Sequence, residues 1–133
     1  MSQEGIKIVR RAVALLQDGD PRDVFTEGLA APDARWHPAK EFDAGTYVGA
    51  EGFAEFMGTW TEAFDDWTIR VTEWRDVGDR VLVLAQQEAV GKGSGIRVKM
   101  DFGMVFELRD GRIAETRVFL DRHQALQAAG LAE

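Results

Sequence analysis

Two ionisable side chains in this sequence have the chemistry of an acid/base pair. His37 stands before Pro38 at the end of a short extended segment, and imidazole is the side chain that titrates near neutral pH. Glu88 interrupts an apolar row of a long predicted strand, and a carboxylate that faces an apolar pocket has its pKa raised, as suits a general base. Together they could deprotonate a carbon acid or activate water. The alternative is structural: His37 would be hydrogen-bonded at a strand end, and Glu88 would lie at a rim or pair with an arginine.

Other side chains could hold a ligand beside this pair. Gln86 shares the strand face of Glu88, and Tyr47, the only tyrosine, could donate a hydrogen bond. Each is equally explained by packing or by a bond to a neighbouring element. The candidate ligand-binding set consists of polar residues and large apolar ones: Trp36, Tyr47, Trp60, Gln86, Phe102, Met104, Thr116 and Val118.

The composition argues against several other kinds of site. The 133 residues contain no cysteine, which excludes disulfides, thiol catalysis and cysteine-ligated metals. The two histidines, His37 and His123, stand far apart, and Asp65-Asp66 lacks the calcium-loop pattern. Gly91 to Gly95 lacks the lysine-threonine ending of a phosphate loop. We therefore expect no metal and no other cofactor.

The charge and the hydropathy pattern limit the partners and the location. A formal net charge of −7 repels nucleic acid and anionic membranes, so neither is an expected partner. No stretch approaches the roughly 20 apolar residues of a membrane span, and the N-terminus lacks the apolar core of a signal peptide. We expect a soluble, cytoplasmic protein.

The candidate residues must be positioned by a predicted sheet, and its central part is a hairpin. Met100, Phe102, Met104, Phe106 and Leu108 alternate along a strand from Lys99 to Arg109, which gives it one strongly apolar face. Asp110-Gly111 suits a tight hairpin turn into a second strand from Arg112 to Leu120, whose inward face carries Thr116 and Val118. Two further strands precede it, from Trp67 to Arg75 and from Arg80 to Gly91.

Helices are predicted before and after these strands. Helical spacing of apolar residues indicates helices from Gly5 to Gln17 and from Ala50 to Phe64, with a short helix after Asp20-Pro21. A short strand from Asp33 to Pro38 and an extended pair at Tyr47-Val48 lie between them. A last helix runs from Asp121 to Ala129, with Asp121 as its cap. The order predicts a single α+β domain over residues 1–133, a curved antiparallel sheet wrapped around N-terminal helices.

The two faces of the strand Arg80–Gly91 are predicted to have different roles. Its pocket face is expected to carry Leu82, Leu84, Gln86, Glu88 and Val90. The opposite face would carry Val81, Val83, Ala85, Gln87 and Ala89, joined by Val105, Arg117 and Phe119. Since helices are expected on one side only, that apolar surface would be exposed in a monomer, and it predicts a homodimer through the sheet face.

Short motifs in a fixed order connect these elements to a known family. They are Ile8-Val9-Arg10-Arg11, Gly19-Asp20, Trp36-His37-Pro38, Gly49-Ala50-Glu51-Gly52, Ala63-Phe64, Gly78-Asp79-Arg80-Val81, Gly93-Ser94-Gly95, Asp110-Gly111-Arg112-Ile113 and the segment from Asp121 to Gly130. In this order the chain resembles the nuclear transport factor 2-like superfamily, which has the ketosteroid isomerase-like fold, in its SnoaL-like branch. The resemblance implies a cone-shaped α+β barrel with a pocket between helices and sheet, often in a homodimer.

The resemblance says less about activity. Ketosteroid isomerases use an Asp base with a Tyr and a protonated Asp as oxyanion donors. When the family's motifs are aligned with this chain, the base, the Tyr and the protonated Asp fall near His37, Ala12 and Met104. Two of the three roles are therefore missing. The acid/base positions of SnoaL-like cyclases fall near Met104 and Val118, and neither side chain can transfer a proton.

Two functions remain open from the sequence. The first is a SnoaL-like protein that binds a small, largely apolar ligand in an internal pocket; if it is catalytic, it would carry out cofactor-free acid/base chemistry of isomerase, cyclase or hydrolase type. His37 would be the base, Glu88 its partner or an alternative base, and Gln86 and Tyr47 would orient the substrate. The second is a non-catalytic dimeric binding or interaction module, which the apolar Met104 and Val118 favour.

Overall fold

The computed structural model describes residues 2–131 of the chain, with side chains from residue 4 onward. Its helices are α1 (Ser2–Asp18), α2 (Asp23–Thr26), α3 (Gly49–Ala63) and α4 (Arg122–Ala128). Its strands are β1 (Ala30–His37), β2 (Tyr47–Val48), β3 (Phe64–Val77), β4 (Arg80–Gly91), β5 (Arg97–Arg109) and β6 (Arg112–Phe119).

The described strands form one sheet in the order β2-β1-β6-β5-β4-β3. Strands β3 to β6 are antiparallel neighbours, as expected, and β1 pairs with β6 in parallel. The sheet is therefore mixed, and it does not close into a complete barrel. The expected α+β architecture with the cone fold is confirmed.

The N-terminal helices cover one face of the sheet, called here the inner face. Val9 and Val13 of α1 pack in one buried cluster with Val83 of β4 and with Met104 and Phe106 of β5. Phe53 and Met57 of α3 form a second cluster with Leu16, at the C-terminal end of α1. Apolar residues spaced three or four apart place one stripe of each helix against the sheet.

The opposite face of the sheet, called here the outer face, is covered at one end by α4. Leu126 and Ala125 of that helix bury Leu82, Leu84 and Val105. Asp121 caps the helix as predicted, since its Oδ1 accepts a hydrogen bond from the backbone N–H of His123 at 2.8 Å. The expectation that helices lie on one side only is therefore wrong.

The two faces of strand β4 are exchanged relative to the prediction, although its direction is as expected. Residues directly opposite in neighbouring strands share a face, and Val83 lies opposite Met104 while Ala85 lies opposite Phe102. The row Val81, Val83, Ala85, Gln87 and Ala89 consequently faces the helices, and the row Leu82, Leu84, Gln86, Glu88 and Val90 faces outward. The cause is that both rows of β4 begin with apolar residues, so alternation alone does not distinguish them.

Among the described residues 2–131, no helix combines the length and the apolar character needed to span a membrane.

Candidate functional site

A small apolar cavity lies between α3 and the inner face of the sheet. It encloses about 50 Å³. Its walls are aromatic and aliphatic, with one amide: Leu16, Trp36, Pro38, Ala39, Phe42, Phe56, Met57, Trp60, Trp67, Ile69, Gln87, Phe102, Met104 and Val118. None of these described lining residues has a side chain that titrates near neutral pH.

Four of the six aromatic residues in this wall come from α3, β1 and the segment after β1. Phe56, Met57 and Trp60 follow one another at helical spacing on α3, so they share the face that turns toward the sheet. Trp36 faces inward from β1. Phe42 comes from the segment after β1, and its ring meets Trp60 edge-on at 5.6 Å between centroids. That segment thus closes one side of the cavity. The Phe42 side chain remains 45% exposed to solvent.

The polar groups at this wall are few, and two of them have no partner. The indole Nε1 atoms of Trp36 and Trp60 are buried and make no hydrogen bond to any described residue. The third indole, that of Trp67, donates to Oε1 of Gln87 at 2.8 Å. Gln87 is 6% exposed, so it is a buried amide held in one orientation by this bond. The surface of the cavity is therefore almost entirely apolar, and its polar groups are buried within the wall.

A second cavity of about 40 Å³ lies between α1, α2 and the sheet. Leu16 and Trp36 border both cavities, so the Trp36 side chain stands at their boundary. Thr116, which is 4% exposed, lines this second cavity.

The structure brings together five of the predicted ligand-binding residues around the first cavity: Trp36, Trp60, Phe102, Met104 and Val118. Tyr47 is outside it, although its ring packs on Phe56 at 5.5 Å between centroids. The Tyr47 hydroxyl donates a hydrogen bond to the Asp43 carboxylate. This bond raises the pKa of Tyr47 and lowers the pKa of Asp43. The only tyrosine is thus engaged in holding the segment before β2.

His37 lies on the outer face and does not line the cavity. Its Nε2 is 2.9 Å from Oε1 of Glu115, and its Nδ1 is 3.1 Å from Oγ1 of Thr46. Glu115 also accepts a hydrogen bond from Arg117 at 3.1 Å. The hydrogen bond from His37, followed by the positive charge of Arg117, lowers the pKa of Glu115 from its ordinary 4.5. His37 borders an open groove of about 570 Å³ beside α4. Its two ring nitrogens are turned to Glu115 and Thr46, neither of which lines the first cavity.

The expected pair of His37 and Glu88 is wrong. His37 is in register with Arg117 of β6, and through Val105 of β5 with Leu82 of β4. Glu88 lies roughly 20 Å further along β4 than Leu82, at about 3.3 Å per residue, and three strand spacings of about 4.8 Å separate β4 from β1. Gln86 shares this outer face and accepts a hydrogen bond from Arg70. Neither Gln86 nor Glu88 reaches the cavity.

Sequence reasoning missed Gln87 and Trp67 at the site. The sequence pattern puts Gln87 on the opposite face of β4 from the expected pocket, and it gives Trp67 only the role of a strand residue. The available signal was a buried amide in an otherwise apolar row, because such a group needs a partner and a tryptophan N–H supplies one. As for metals, the described residues contain no group of three or more His, Asp or Glu side chains able to hold an ion.

The chain is similar to a known domain family and to several solved structures. The family model described as a SnoaL-like domain matches residues 9–116. A protein from Jannaschia sp. CCS1, provisionally named a SnoaL-like polyketide cyclase, superposes with a TM-score of 0.78 at 26% identity, over 96% of this chain and 92% of that one. TerC, co-crystallised with polyporic acid, superposes with a TM-score of 0.78 at 21% identity, over 96% of this chain and 98% of that one.

A third similar structure is AclR from Streptomyces galilaeus, provisionally named a hydroxylase. Its TM-score is 0.72 at 18% identity, and the match covers 98% of both chains. At identities this low, TerC and AclR show a shared fold only. No match was found among proteins of curated function.

Proposed function

The chain belongs to the SnoaL-like domain family, and from this premise we propose that it binds a small, largely apolar molecule in the cavity between α3 and the sheet. The observation that carries the proposal is the wall of that cavity. It is aromatic and apolar, with one amide and no titratable side chain among the described lining residues. Binding sites for small organic molecules have this composition. In TerC, the same fold was crystallised with an organic molecule, polyporic acid.

The cavity supports binding better than acid/base catalysis. A general base must lie within hydrogen-bond reach of the proton that it removes. His37 and Glu88 both lie on the outer face, and Met104 and Val118 occupy the inward positions at which the resemblance expects acid/base groups. The non-catalytic alternative is thus the one that these contacts favour.

The size of the cavity limits the ligand. About 50 Å³ is small beside the pockets of roughly 300–1,000 Å³ that hold drug-sized molecules. Trp36 borders the second cavity of about 40 Å³, so a rotation of its indole would join the two. Because a cavity of about 150 Å³ holds one benzene ring, we expect a one-ring or two-ring molecule to bind only when Trp36 and its neighbours move to enlarge the cavity.

The test is a titration with one-ring and two-ring aromatic compounds, followed by tryptophan fluorescence and thermal melting. Three tryptophans line the cavity, so an occupant should change their emission. A ligand at 100 times its dissociation constant should raise the free energy of unfolding by about 2.7 kcal/mol.

Two variants make the test specific. Val118→Phe fills the cavity from β6 and should abolish binding, whereas Gln86→Ala on the outer face should leave it unchanged. If Val118→Phe folds and binds every compound as well as the wild type does, the ligand lies elsewhere and the proposal is wrong.

A further inference from the structure

The wall of the first cavity reaches the protein surface at Phe42. This residue lines the cavity and is 45% exposed, whereas every other described lining residue is buried or half-buried. Its ring meets Trp60 edge-on, at 5.6 Å between centroids, and this contact closes that side of the cavity. Phe42 is thus the lining residue at which the cavity and the solvent-exposed surface meet.

Phe42 belongs to a segment that has few backbone bonds to the rest of the fold. Residues 40–46, called here the strap, lie between Ala39 and β2 and form neither helix nor strand. In the described structure, the backbone hydrogen bonds of the strap run from the N–H groups of Phe42 and Asp43 to the carbonyl of Ala39, at 2.9 and 3.1 Å. Ala39 is 2% exposed and fixes one end of the strap, and the pairing of β2 with β1 fixes the other. A segment of this kind opens at a lower free-energy cost than the sheet beside it.

Two side-chain hydrogen bonds connect the strap to the sheet. Oγ1 of Thr46 is 3.1 Å from Nδ1 of His37 on β1, and the Tyr47 hydroxyl on β2 donates to the Asp43 carboxylate. His37 is itself held from β6, since its Nε2 is 2.9 Å from Oε1 of Glu115. The net contribution of a single hydrogen bond is small, so either bond to the strap can break while the sheet stays intact.

We propose that the strap opens to admit a ligand to the first cavity. Phe42 is the residue that blocks entry, and the bonds of Thr46 and Tyr47 hold the strap closed. Withdrawal of the Phe42 ring exposes the aromatic wall and adds the space of that ring to a cavity of about 50 Å³, which is smaller than the roughly 150 Å³ that holds benzene. This inference rests on the proposed function, because an entrance has a role only if a molecule binds inside.

The chain contains no cysteine, so an introduced thiol reports on one position alone. Met104→Cys places it in the cavity wall at a position that is 2% exposed, and Val83→Cys places it in the adjoining core, at 0% exposure and outside the described lining. Each variant is treated with methyl methanethiosulfonate, a small thiol reagent, and labelling is followed by mass spectrometry. When opening and closing are fast beside the reaction, the labelling rate measures the population of the open state. We expect the Met104→Cys variant to be labelled faster than the Val83→Cys variant, which reacts only when the core opens.

Substitutions in the strap and its bonds should change only the rate at the cavity. Added to Met104→Cys, either Thr46→Val or Tyr47→Phe removes one bond and should raise the labelling rate about three- to tenfold, the factor that corresponds to one hydrogen bond. Phe42→Ala removes the blocking ring and should raise the rate further. Thr26→Val is the matched control, because it removes a side-chain hydrogen bond within α2 and should leave the rate unchanged.

Two outcomes would contradict the opening of the strap. If the three substitutions leave the labelling rate of the Met104→Cys variant unchanged, the reagent enters elsewhere. If they raise the rate of the Val83→Cys variant by the same factor, they loosen the whole fold and not the strap. Thermal melting establishes which variants are folded, and if Phe42→Ala is not, Thr46→Val and Tyr47→Phe decide the question. No ligand takes part in this experiment, so its failure leaves the binding function to be judged by its own titration.

Discussion

At the level of single residues, the carboxylate of Glu115 is held by His37 and Arg117. The hydrogen bond from His37 and the charge of Arg117 lower the pKa of Glu115 from 4.5. A carboxyl group with a lowered folded-state pKa stabilises the fold above its unfolded pKa, and this contribution is lost as the pH falls through the folded value. The side chain is 28% exposed, so solvent screens the interaction and about 1 kcal/mol is expected.

Glu115→Gln should therefore lower the free energy of unfolding near pH 7 by about 1 kcal/mol, and the difference from the wild type should shrink as the pH falls below 4.5. Urea unfolding at a series of pH values measures this. Glu88→Gln makes the same change of net charge away from His37 and serves as the control. A difference between Glu115→Gln and the wild type that stays constant down to pH 3 would show that the bond to His37 does not hold this carboxylate.

The residue scale also explains why the chemical candidates were misplaced. Trp36 and His37 are neighbours in β1, so their side chains point to opposite faces, and only one of them can line an inner cavity. The sequence pattern placed both near the pocket. Trp36 has the inward position because Phe53 and Phe56 of α3 pack against it. The partner of His37, Glu115, could not be identified from the sequence since it depends on the parallel pairing of β1 with β6.

At the scale of elements, the contact of α4 with the sheet depends on one glycine. A Cβ at Gly103 of β5 would lie 2.6 Å from the Cβ of Ala125 and 3.3 Å from Cδ2 of Leu84. The absence of a side chain thus lets α4 approach the outer face closely enough to bury Leu82 and Leu84.

Gly103→Ala should accordingly reduce the free energy of unfolding by about 1–3 kcal/mol, because overpacking forces the helix or the strand to shift. Gly58→Ala is the control: it lies in α3 with nothing within 4 Å of the added Cβ, and it should stabilise by about 0.5–1 kcal/mol. In the double variant Gly103→Ala with Ala125→Gly, part of the loss should be recovered. Equal losses in the single and double variants would mean that α4 does not press on this strand.

Most element boundaries follow from local chemistry, but the facing of β4 does not. Asp110 and Gly111 have φ values of 55° and 75°, the left-handed conformations that a two-residue hairpin requires, and the Asp-Gly pair predicted them. The limits of β4 itself were predicted correctly. The face that β4 turns toward the helices is set by its pairing with β5, which is a long-range property. Because the sequence pattern predicts the opposite facing, it puts Gln86 and Glu88 in the expected site and leaves Gln87 out of it.

At the scale of the whole molecule, the homodimer stays a prediction. The structure changes which residues of the sheet are available for its interface. Val105 and Phe119, which were expected at the interface, pack in the cluster under α4. Beyond that helix the outer face carries charges of both signs, with Arg70 and Lys99 beside Glu88 and Asp101. A dimer through this part of the sheet would be held by ion pairs between the two copies.

The effect of salt distinguishes this interface from an apolar one. Each copy has a formal net charge of −7, so salt screens a general repulsion and would favour a dimer held by apolar contact. A dimer held by ion pairs across the mixed charges should instead weaken when NaCl is raised from about 0.05 to 0.5 M, because screening shortens the range of those pairs.

We expect light scattering after size exclusion to show a dimer at low salt that dissociates at high salt, and Lys99→Glu to shift the balance toward monomer at low salt. A dimer that strengthens with salt would place the interface on exposed apolar residues such as Ile96, and a monomer at every salt concentration would make the homodimer wrong.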